Sequence, residues 1–368
     1  MMLSPIAQRR IQRFRANRRG YVSLWIFLIL VAITLPAELI TNDKPLIVRY
    51  KGQLLFPIFV DYPESVFGGF LAVTDYNDTF IIEEIKANGW MIRPPLSYGY
   101  RTINRNPEAP VPSPPTRENP LGTDNQARDV LARLIYGFRT TILFSSLLTF
   151  FSYIAGIAAG AVQGYLGGAV DLFFQRFTEM WNGLPLLFIL IILFGIFSPG
   201  FCLLLGILLC FNWTGLAGVV RAEFLRARNF TYVKAAKALG VSNFSIMRKH
   251  MLPNAAAAAL SFLPFTFIGA ITLLTALDFM GLGLPSGSAS LGELLAQGRA
   301  NIHAVWLGLT GFLSISITLV LIVFISEAVR DAFNTDISYR MSRNLTEAQH
   351  NAVAVREPPL LADAVESV

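Results

Sequence analysis

The chain has 368 residues, of which 54% are hydrophobic and only 15% are charged, and its mean hydropathy is +0.52. Soluble domains carry about 25% charged residues, so this composition excludes a soluble protein and indicates an integral membrane protein. Two cysteines and three histidines are too few for a disulfide framework or a histidine-rich metal site, and the net charge of +6 gathers at the ends of apolar runs, which argues against nucleic-acid binding.

The chain begins with a basic segment, residues 1–20, that contains six arginines and no acidic residue. Residues 21–40 form an apolar run that predicts the first transmembrane helix. A cleaved signal peptide is the competing interpretation, but the run is long for that and no clear small-x-small site follows it. By the positive-inside rule the amino terminus is expected in the cytoplasm.

Residues 41–139 would then lie outside the membrane, as a small mixed α/β insertion between the first and second spans. Residue patterns predict two short strands, 46–50 and 53–60. They also predict a helix over 79–87 that begins after an N-capping aspartate, Asp78. We expect this lobe to lean on the membrane part or on a partner, because it is small for an independent core.

A proline-rich connector leads from the lobe to the second span. Its six prolines exclude a helix or a central strand and predict an extended chain: Pro107, Pro110, Pro112, Pro114, Pro115 and Pro120. Apolar residues then recur at helical spacing over 130–138 with charged residues between them. This pattern predicts a short amphipathic helix at the outer face of the membrane.

The remaining spans lie within residues 140–334. Four charge-free runs occur there: 140–170, 180–220, 251–277 and 304–326. The second run is long enough for two spans, with a turn predicted at 198–200. The chain is therefore predicted to be an all-α polytopic membrane protein with six transmembrane helices and a cytoplasmic tail over 335–368, of which 341–368 are expected to be poorly ordered.

Two features of the core spans concern packing. Gly156, Gly160 and Gly164 recur at four-residue spacing on one helical face, which predicts close approach of a neighbouring helix. Cys202 and Cys210 lie eight residues apart in one apolar run, about 12 Å along a helix. That separation is too large for a disulfide, so both are expected to be buried free thiols.

The segment 221–253 between the fourth and fifth spans carries seven basic residues, which predicts that it lies in the cytoplasm. Two helical stretches are predicted, 230–239 and 243–251, joined at Gly240 and stopped by Pro253. A thin helix flanked by cations suits a groove in another protein. The alternative, a solvated basic loop, would normally be shorter and without helix signals.

The chain lacks the motifs of several enzyme classes. It contains no phosphate-binding Walker loop, no His-Glu-x-x-His pair and no Gly-x-Ser-x-Gly elbow. Ser286, Ser288, Ser290 and His303 share one outer loop, but a stretch rich in glycine and serine is typical of a turn. Residue patterns therefore predict a translocator or scaffold whose energy source is another subunit.

Residues 232–240, Tyr-Val-Lys-Ala-Ala-Lys-Ala-Leu-Gly, followed by Leu252-Pro253, resemble the EAA signature of ATP-binding-cassette importer permeases. Residues 119–137 are similar to the outer segment of the dipeptide and oligopeptide subfamily, and further similar blocks follow in family order as far as residue 334. Three residues depart from the family pattern: Lys234 stands for a usual Glu, Ala127 for a Gly and Leu291 for a Trp.

The resemblance implies a type I importer permease that carries oligopeptides, or peptide antibiotics of the microcin C type, across the bacterial inner membrane. Its implied partners are a second permease in a heterodimer, two cytoplasmic ATPase domains or subunits, and a periplasmic peptide-binding protein, besides membrane lipid. ATP and magnesium would be bound by the ATPases, so the chain is expected to hold no cofactor or metal and not to be an enzyme.

The resemblance also implies two sets of site residues, whereas substrate-binding residues are not identified. The set implied to couple to the ATPase is Tyr232, Ala235, Ala236, Gly240 and Pro253. The set implied to lie at the periplasmic mouth is Gly122, Thr123, Asp124, Arg128 and Asp129. Alternatives to a permease are a nonenzymatic membrane scaffold and an uncoupled channel.

Overall fold

The computed structural model describes residues 5–104, 109–285 and 287–333. Its helices are α1 (Pro5–Ala16), α2 (Arg18–Thr34), α3 (Ala37–Ile40), α4 (Thr79–Asn88), α5 (Val130–Leu166), α6 (Gly168–Asn182), α7 (Leu186–Ile196), α8 (Phe201–Ala227), α9 (Thr231–Ala238), α10 (Asn243–Ser245), α11 (Leu252–Phe279), α12 (Leu291–Ala300) and α13 (Val305–Phe333). Its strands are β1 (Ile47–Tyr50), β2 (Gln53–Leu55) and β3 (Gly89–Ile92), with a 3₁₀ turn over Glu64–Phe67 and a π-helical turn over Ile246–Met251. The predicted tail 335–368, residues 1–4, Pro107 and Ser286 lie outside the described residues.

Within the described residues, four helices are long and apolar enough to cross a membrane. They are Val130–Leu166, Phe201–Ala227, Asn243–Phe279 and Val305–Phe333. The number rises to six when each of two bent helix pairs counts as one span. One pair is Gln8–Ala16 with Arg18–Thr34, bent by 93°, and the other is α6 with α7, bent by 69°.

Two predicted spans have different ends in the structure. The first was predicted to reach residue 40, but α2 ends at Thr34 and a separate short helix follows Pro36. Proline has no backbone N–H and its ring clashes with the carbonyl four residues earlier, so the helix ends before it. The third predicted span is instead α6 and α7, which Gly183–Pro185 separate.

The lobe between α3 and α5 contains a three-stranded antiparallel sheet in the order β2-β1-β3. The predicted strand 53–60 is shorter than expected, because the chain turns at Phe56 after Leu55. β3 was not predicted. The helix expected over 79–87 is α4, and the Asp78 side chain accepts a hydrogen bond from the Phe80 N–H, as expected of an N-cap.

The short amphipathic helix expected over 130–138 is not a separate element. It is the first part of α5, an unbroken helix of 37 residues. Arg133, which the helical pattern assigned to a polar face, is fully buried. The loop predicted to hold Ser288, Ser290 and His303 is also wrong in part, because residues 291–300 form the helix α12. The Ser290 side chain caps this helix by accepting a hydrogen bond from the Glu293 N–H, 3.1 Å.

Glycine contacts fix α12 between three longer helices. A Cβ on Gly137 of α5 would lie 3.0 Å from the Ser290 carbonyl carbon, and a Cβ on Gly292 would lie 2.5 Å from the Thr275 oxygen of α11. A Cβ on Gly298 would lie 2.4 Å from the Cα of Gly308 in α13. The predicted outer loop is therefore, at α12, a packed part of the helix bundle.

Candidate functional site

The segment before α5 forms a compact turn that the predicted mouth residues build. Gly122 has φ +75°, and a Cβ there would lie 2.7 Å from the Ser113 oxygen and 2.8 Å from the Trp306 indole nitrogen. Two hydrogen bonds join Thr123 and Ser113. The Thr123 N–H donates to the Ser113 carbonyl oxygen at 2.9 Å, and the Ser113 N–H donates to the Thr123 hydroxyl oxygen at 2.8 Å. The position of Gly122 therefore requires glycine for both conformation and space.

Asp124 is fully buried and organises the residues that follow it. Its carboxylate accepts hydrogen bonds from the backbone N–H groups of Gln126 and Arg128, at 2.8 and 2.9 Å, and from the Arg128 Nε, at 2.7 Å. Between them Ala127 has φ +58°, a left-handed conformation that favours glycine. The resemblance gives glycine as the usual residue there, and the backbone conformation supplies the physical reason.

The buried ion cluster extends from this turn to α12. Arg133 lies 3.4 Å from Asp124 through its Nε and 2.5 Å from the Glu293 carboxylate through an Nη. Arg128 lies 3.6 Å from the other oxygen of Glu293. Two guanidinium groups and two carboxylates thus compensate one another, which a buried charge requires. Sequence analysis missed Arg133 and Glu293 as members of this site.

Asp129 belongs to the same turn but binds different groups. Its carboxylate accepts hydrogen bonds from the Asn119 side-chain amide, 2.8 Å, and from the Ala132 N–H, 2.7 Å, so it caps α5. Burial raises the pKa of the Asp129 carboxyl above its usual value, although both hydrogen bonds oppose the shift. The five predicted mouth residues therefore lie together, in positions that fix the entry of α5.

The three glycines at four-residue spacing lie where α5 meets α8. A Cβ on Gly156 would approach the Trp213 oxygen to 2.9 Å, and a Cβ on Gly160 would approach the Ala217 oxygen to 2.5 Å. A Cβ on Gly164 would lie 2.5 Å from the Phe224 side chain. The glycines allow the two backbones to approach along three turns.

The two predicted coupling alanines differ in burial. Ala236 is only 9% exposed and packs with Val233, Ile246 and Met251 in the protein's own core, whereas Ala235 is exposed. The prediction that both alanines set the approach of a partner therefore needs correction for Ala236. The outward face of this segment consists of Tyr232, Ala235, Leu239 and Phe244, of which Leu239 is 83% exposed and Phe244 72%.

Gly240 ends α9 in a left-handed conformation, φ +75°, and the Val241 N–H returns to the Ala236 oxygen at 3.1 Å. This is a helix-terminating motif that favours glycine. Pro253 was predicted to stop the second helical stretch, but a continuous helical segment runs from Asn243 to Phe279. The π-helical turn Ile246–Met251 precedes the proline and accommodates its missing N–H.

Side-chain hydrogen bonds tie the segment 231–251 to the long helices. The Tyr232 hydroxyl accepts a hydrogen bond from the Asn254 side chain at 3.0 Å, which joins α9 to α11. The Tyr165 hydroxyl donates to Asn243 at 2.6 Å, which joins α5 to α10. These two hydrogen bonds link α9 to α11 and α10 to α5.

The two cysteines are free and exposed at the surface of the chain. They were predicted to be buried, but apolar residues of a membrane span can face lipid or another subunit. Among the described residues, no group of three or more His, Cys, Asp or Glu side chains could hold a metal ion.

Comparison with known proteins places residues 137–339 in the sequence family described as binding-protein-dependent transport system inner membrane component. The chain is 54% identical to the peptidoglycan transport system permease protein YejE of Agrobacterium fabrum, over 92% of this chain and 95% of that protein. It is 55% identical to the inner membrane ABC transporter permease protein YejE of Escherichia coli, over 90% of this chain and 98% of that protein.

More distant relatives cover part of the chain. The dipeptide transport system permease protein DppC of Bacillus subtilis is 34% identical over 51% of this chain and 59% of its own length. Among solved structures, an inward-facing MetNI methionine ABC transporter aligns with a TM-score of 0.47 and 17% identity, covering 55% of this chain and 96% of that chain.

Proposed function

The chain belongs to the family of binding-protein-dependent transport system inner membrane components, and on that premise we propose that it is the permease subunit of an ATP-binding-cassette importer for oligopeptides. The observation that carries this proposal is the match to two permeases at more than half identity over nearly the whole chain. A multi-pass inner membrane protein follows from the same relatives and from the apolar helices. A scaffold or an uncoupled channel has no comparable support.

The substrate is proposed to be a peptide taken up from the periplasm, including peptide antibiotics of the microcin C type. The relatives named as dipeptide and oligopeptide permeases support this class. A second candidate is a peptide released from the cell wall, because the Agrobacterium relative is named as a peptidoglycan transport permease. Both candidates share a peptide backbone.

We place the coupling surface on the outward face of α9 and α10. Leu239 and Phe244 expose large apolar side chains, and four basic residues of the same segment are also exposed: Lys234, Lys237, Arg248 and Lys249. Exposed apolar and basic side chains in one short segment suit the groove of a soluble subunit with acidic edges. This surface would bind one of two ATPase domains or subunits, which hold the ATP and magnesium.

Our proposal also covers the orientation of the chain in the membrane and its pairing with a second permease. The chain crosses the membrane six times as a type I permease, pairs with a second permease, and keeps both termini in the cytoplasm. The segment 41–139 then lies in the periplasm, where the turn from Gly122 to Asp129 faces the peptide-binding protein. Arginine-rich residues 9–19 and the basic residues of 221–253 support this orientation.

The experiment that tests the substrate class is uptake of a labelled oligopeptide by cells with and without this chain. We expect uptake only with the chain, and competition by unlabelled oligopeptides but not by free amino acids. Stronger competition by a cell-wall peptide would favour the second candidate. Equal uptake in both strains would contradict the proposal.

A further inference from the structure

The sheet of the lobe has one face that no other described element covers. The opposite face packs on α4, where Val48 and Ile81 are fully buried. On the uncovered face, Arg49 of β1 lies directly between Leu54 of β2 and Trp90 of β3 in the strand register. Leu54 is 57% exposed and Trp90 43% exposed.

A tight turn continues this apolar surface beyond β2. The N–H groups of Phe59 and Val60 both donate to the Phe56 oxygen, at 3.1 and 3.2 Å. The turn leaves Phe59 82% exposed and Val60 half exposed. We name the whole surface the lobe apolar patch and define it by Leu54, Phe56, Phe59, Val60, Trp90 and Ile92. A contiguous exposed apolar patch marks an interaction surface.

The base of the lobe is fixed close to the membrane boundary. Arg139 lies one residue before the charge-free run of α5 and binds Glu38 at 2.8 Å. One turn further out, roughly 5 Å along the helix, the Tyr136 hydroxyl donates to the Thr41 oxygen at 3.1 Å. A bridge between Thr41 and Leu96 then closes the base of the lobe.

The strand register places the patch at this same end of the sheet. β1 leaves the base at Ile47, and β2 returns antiparallel to it, with Leu55 opposite Val48. The turn after β2 therefore points back towards the base. An ion pair between Lys44 and Asp61 holds the end of that turn beside the residues that precede β1. The turn is therefore on the side of the sheet that is nearer to Arg139, where the charge-free run of α5 begins.

We propose that the lobe apolar patch is a lipid-contacting surface, with Phe59 and Val60 inserted at the boundary between headgroups and acyl chains of the adjacent leaflet. Aromatic side chains such as Trp90 are favoured at the headgroup level. Arg49, in the middle of the patch, suits the phosphate of an anionic lipid, while Lys44 neutralises Asp61. The lobe is thereby held against the bilayer.

A spin label measures the depth of the turn in the full chain. Cys202 and Cys210 are replaced by serine, and the label is attached through Phe59→Cys in nanodiscs of phosphatidylethanolamine and phosphatidylglycerol. Lys86→Cys, on the exposed side of α4, is the matched control. Collisions with dissolved oxygen, which concentrates in lipid, are compared with collisions with a polar nickel chelate, which stays in water.

We expect the ratio of oxygen to nickel collisions to be about tenfold higher at position 59 than at position 86, because the polar chelate is excluded from an apolar layer. Val60→Cys should give the same result if the first variant folds poorly. Equal ratios at 59 and 86 would overturn the proposal. Exclusion of both reagents at 59 and 60 would also overturn it, in favour of a protein contact.

Discussion

At the residue scale, the segment proposed to couple to the ATPase, α9 and α10, holds two adjacent alanines in different environments. Ala235 points outward beside the exposed Leu239, while Ala236 is buried against Ile246 and Met251. The sequence identified the pair as small residues but could not assign a role to each. Only the packing of α9 on the π-helical turn decides which side chain faces a partner.

Ala235→Trp is therefore expected to weaken the contact with an ATPase and to leave the chain's own packing intact. Overpacking costs about 1–3 kcal/mol, which is about 5-fold to 150-fold in affinity. Co-purification of the ATPase with the permease pair measures the effect. Ala236→Trp is the matched control, and it should lower the yield of folded protein. Normal ATPase retention in the Ala235→Trp protein would contradict the assignment.

A second residue-scale prediction concerns Glu293, which contacts both buried arginines. Glu293→Gln leaves Arg128 and Arg133 with Asp124 alone, and an uncompensated buried charge costs about 3 kcal/mol. We expect a lower temperature of thermal inactivation in detergent. Glu83→Gln, on the exposed side of α4, is the control and should have no effect. Equal inactivation temperatures for Glu293→Gln and the unsubstituted protein would show that the cluster does not stabilise the fold.

At the element scale, the glycine spacing in the sequence predicted that α5 has a close helix neighbour. The helix α12 was harder to predict. Glycines at four-residue spacing indicate that another helix packs closely, but they do not show which one. The structure identifies that helix as α8. The helix α12 carries a sequence signal that was overlooked, Ser290 followed by Glu293 as a capping box. Glu293 forms an ion pair with Arg133, 160 residues away, which no local pattern reveals.

Gly160→Ala should push α5 and α8 apart, since its Cβ would lie 2.5 Å from the Ala217 backbone oxygen. Backbone cannot move aside as a side chain can, so we expect a loss of about 1–3 kcal/mol. Gly206→Ala on α8 is the control, because nothing lies within 4 Å of its Cβ. Protease resistance in detergent distinguishes the two variants, and equal resistance would argue against a tight interface.

At the scale of the whole molecule, composition and charge-free runs predicted a membrane protein and the position of most spans. The bends could not be predicted in this way. The break of 69° at Gly183–Pro185 and the one of 93° after Ala16 are changes of backbone direction, which a charge-free run does not report. The lobe was predicted as a strand pair with a helix, and its third strand pairs with β1 across nearly forty residues.

The orientation of the molecule is testable with one thiol on each side. Lys86→Cys in the lobe and Lys237→Cys in α9 are both exposed, and Cys202 and Cys210 are replaced by serine in both proteins. An impermeant thiol reagent on intact spheroplasts should label position 86 and not position 237. Lysis should then expose position 237. The reverse labelling would invert the proposed topology.

The most direct test of the central claim is peptide accumulation in proteoliposomes that contain this chain, a second permease, the ATPase and the binding protein. The account predicts accumulation that requires ATP and is lost when this chain is omitted. Uptake that persists without the chain would contradict its role as a permease subunit. Uptake that proceeds without ATP hydrolysis would instead identify an uncoupled channel.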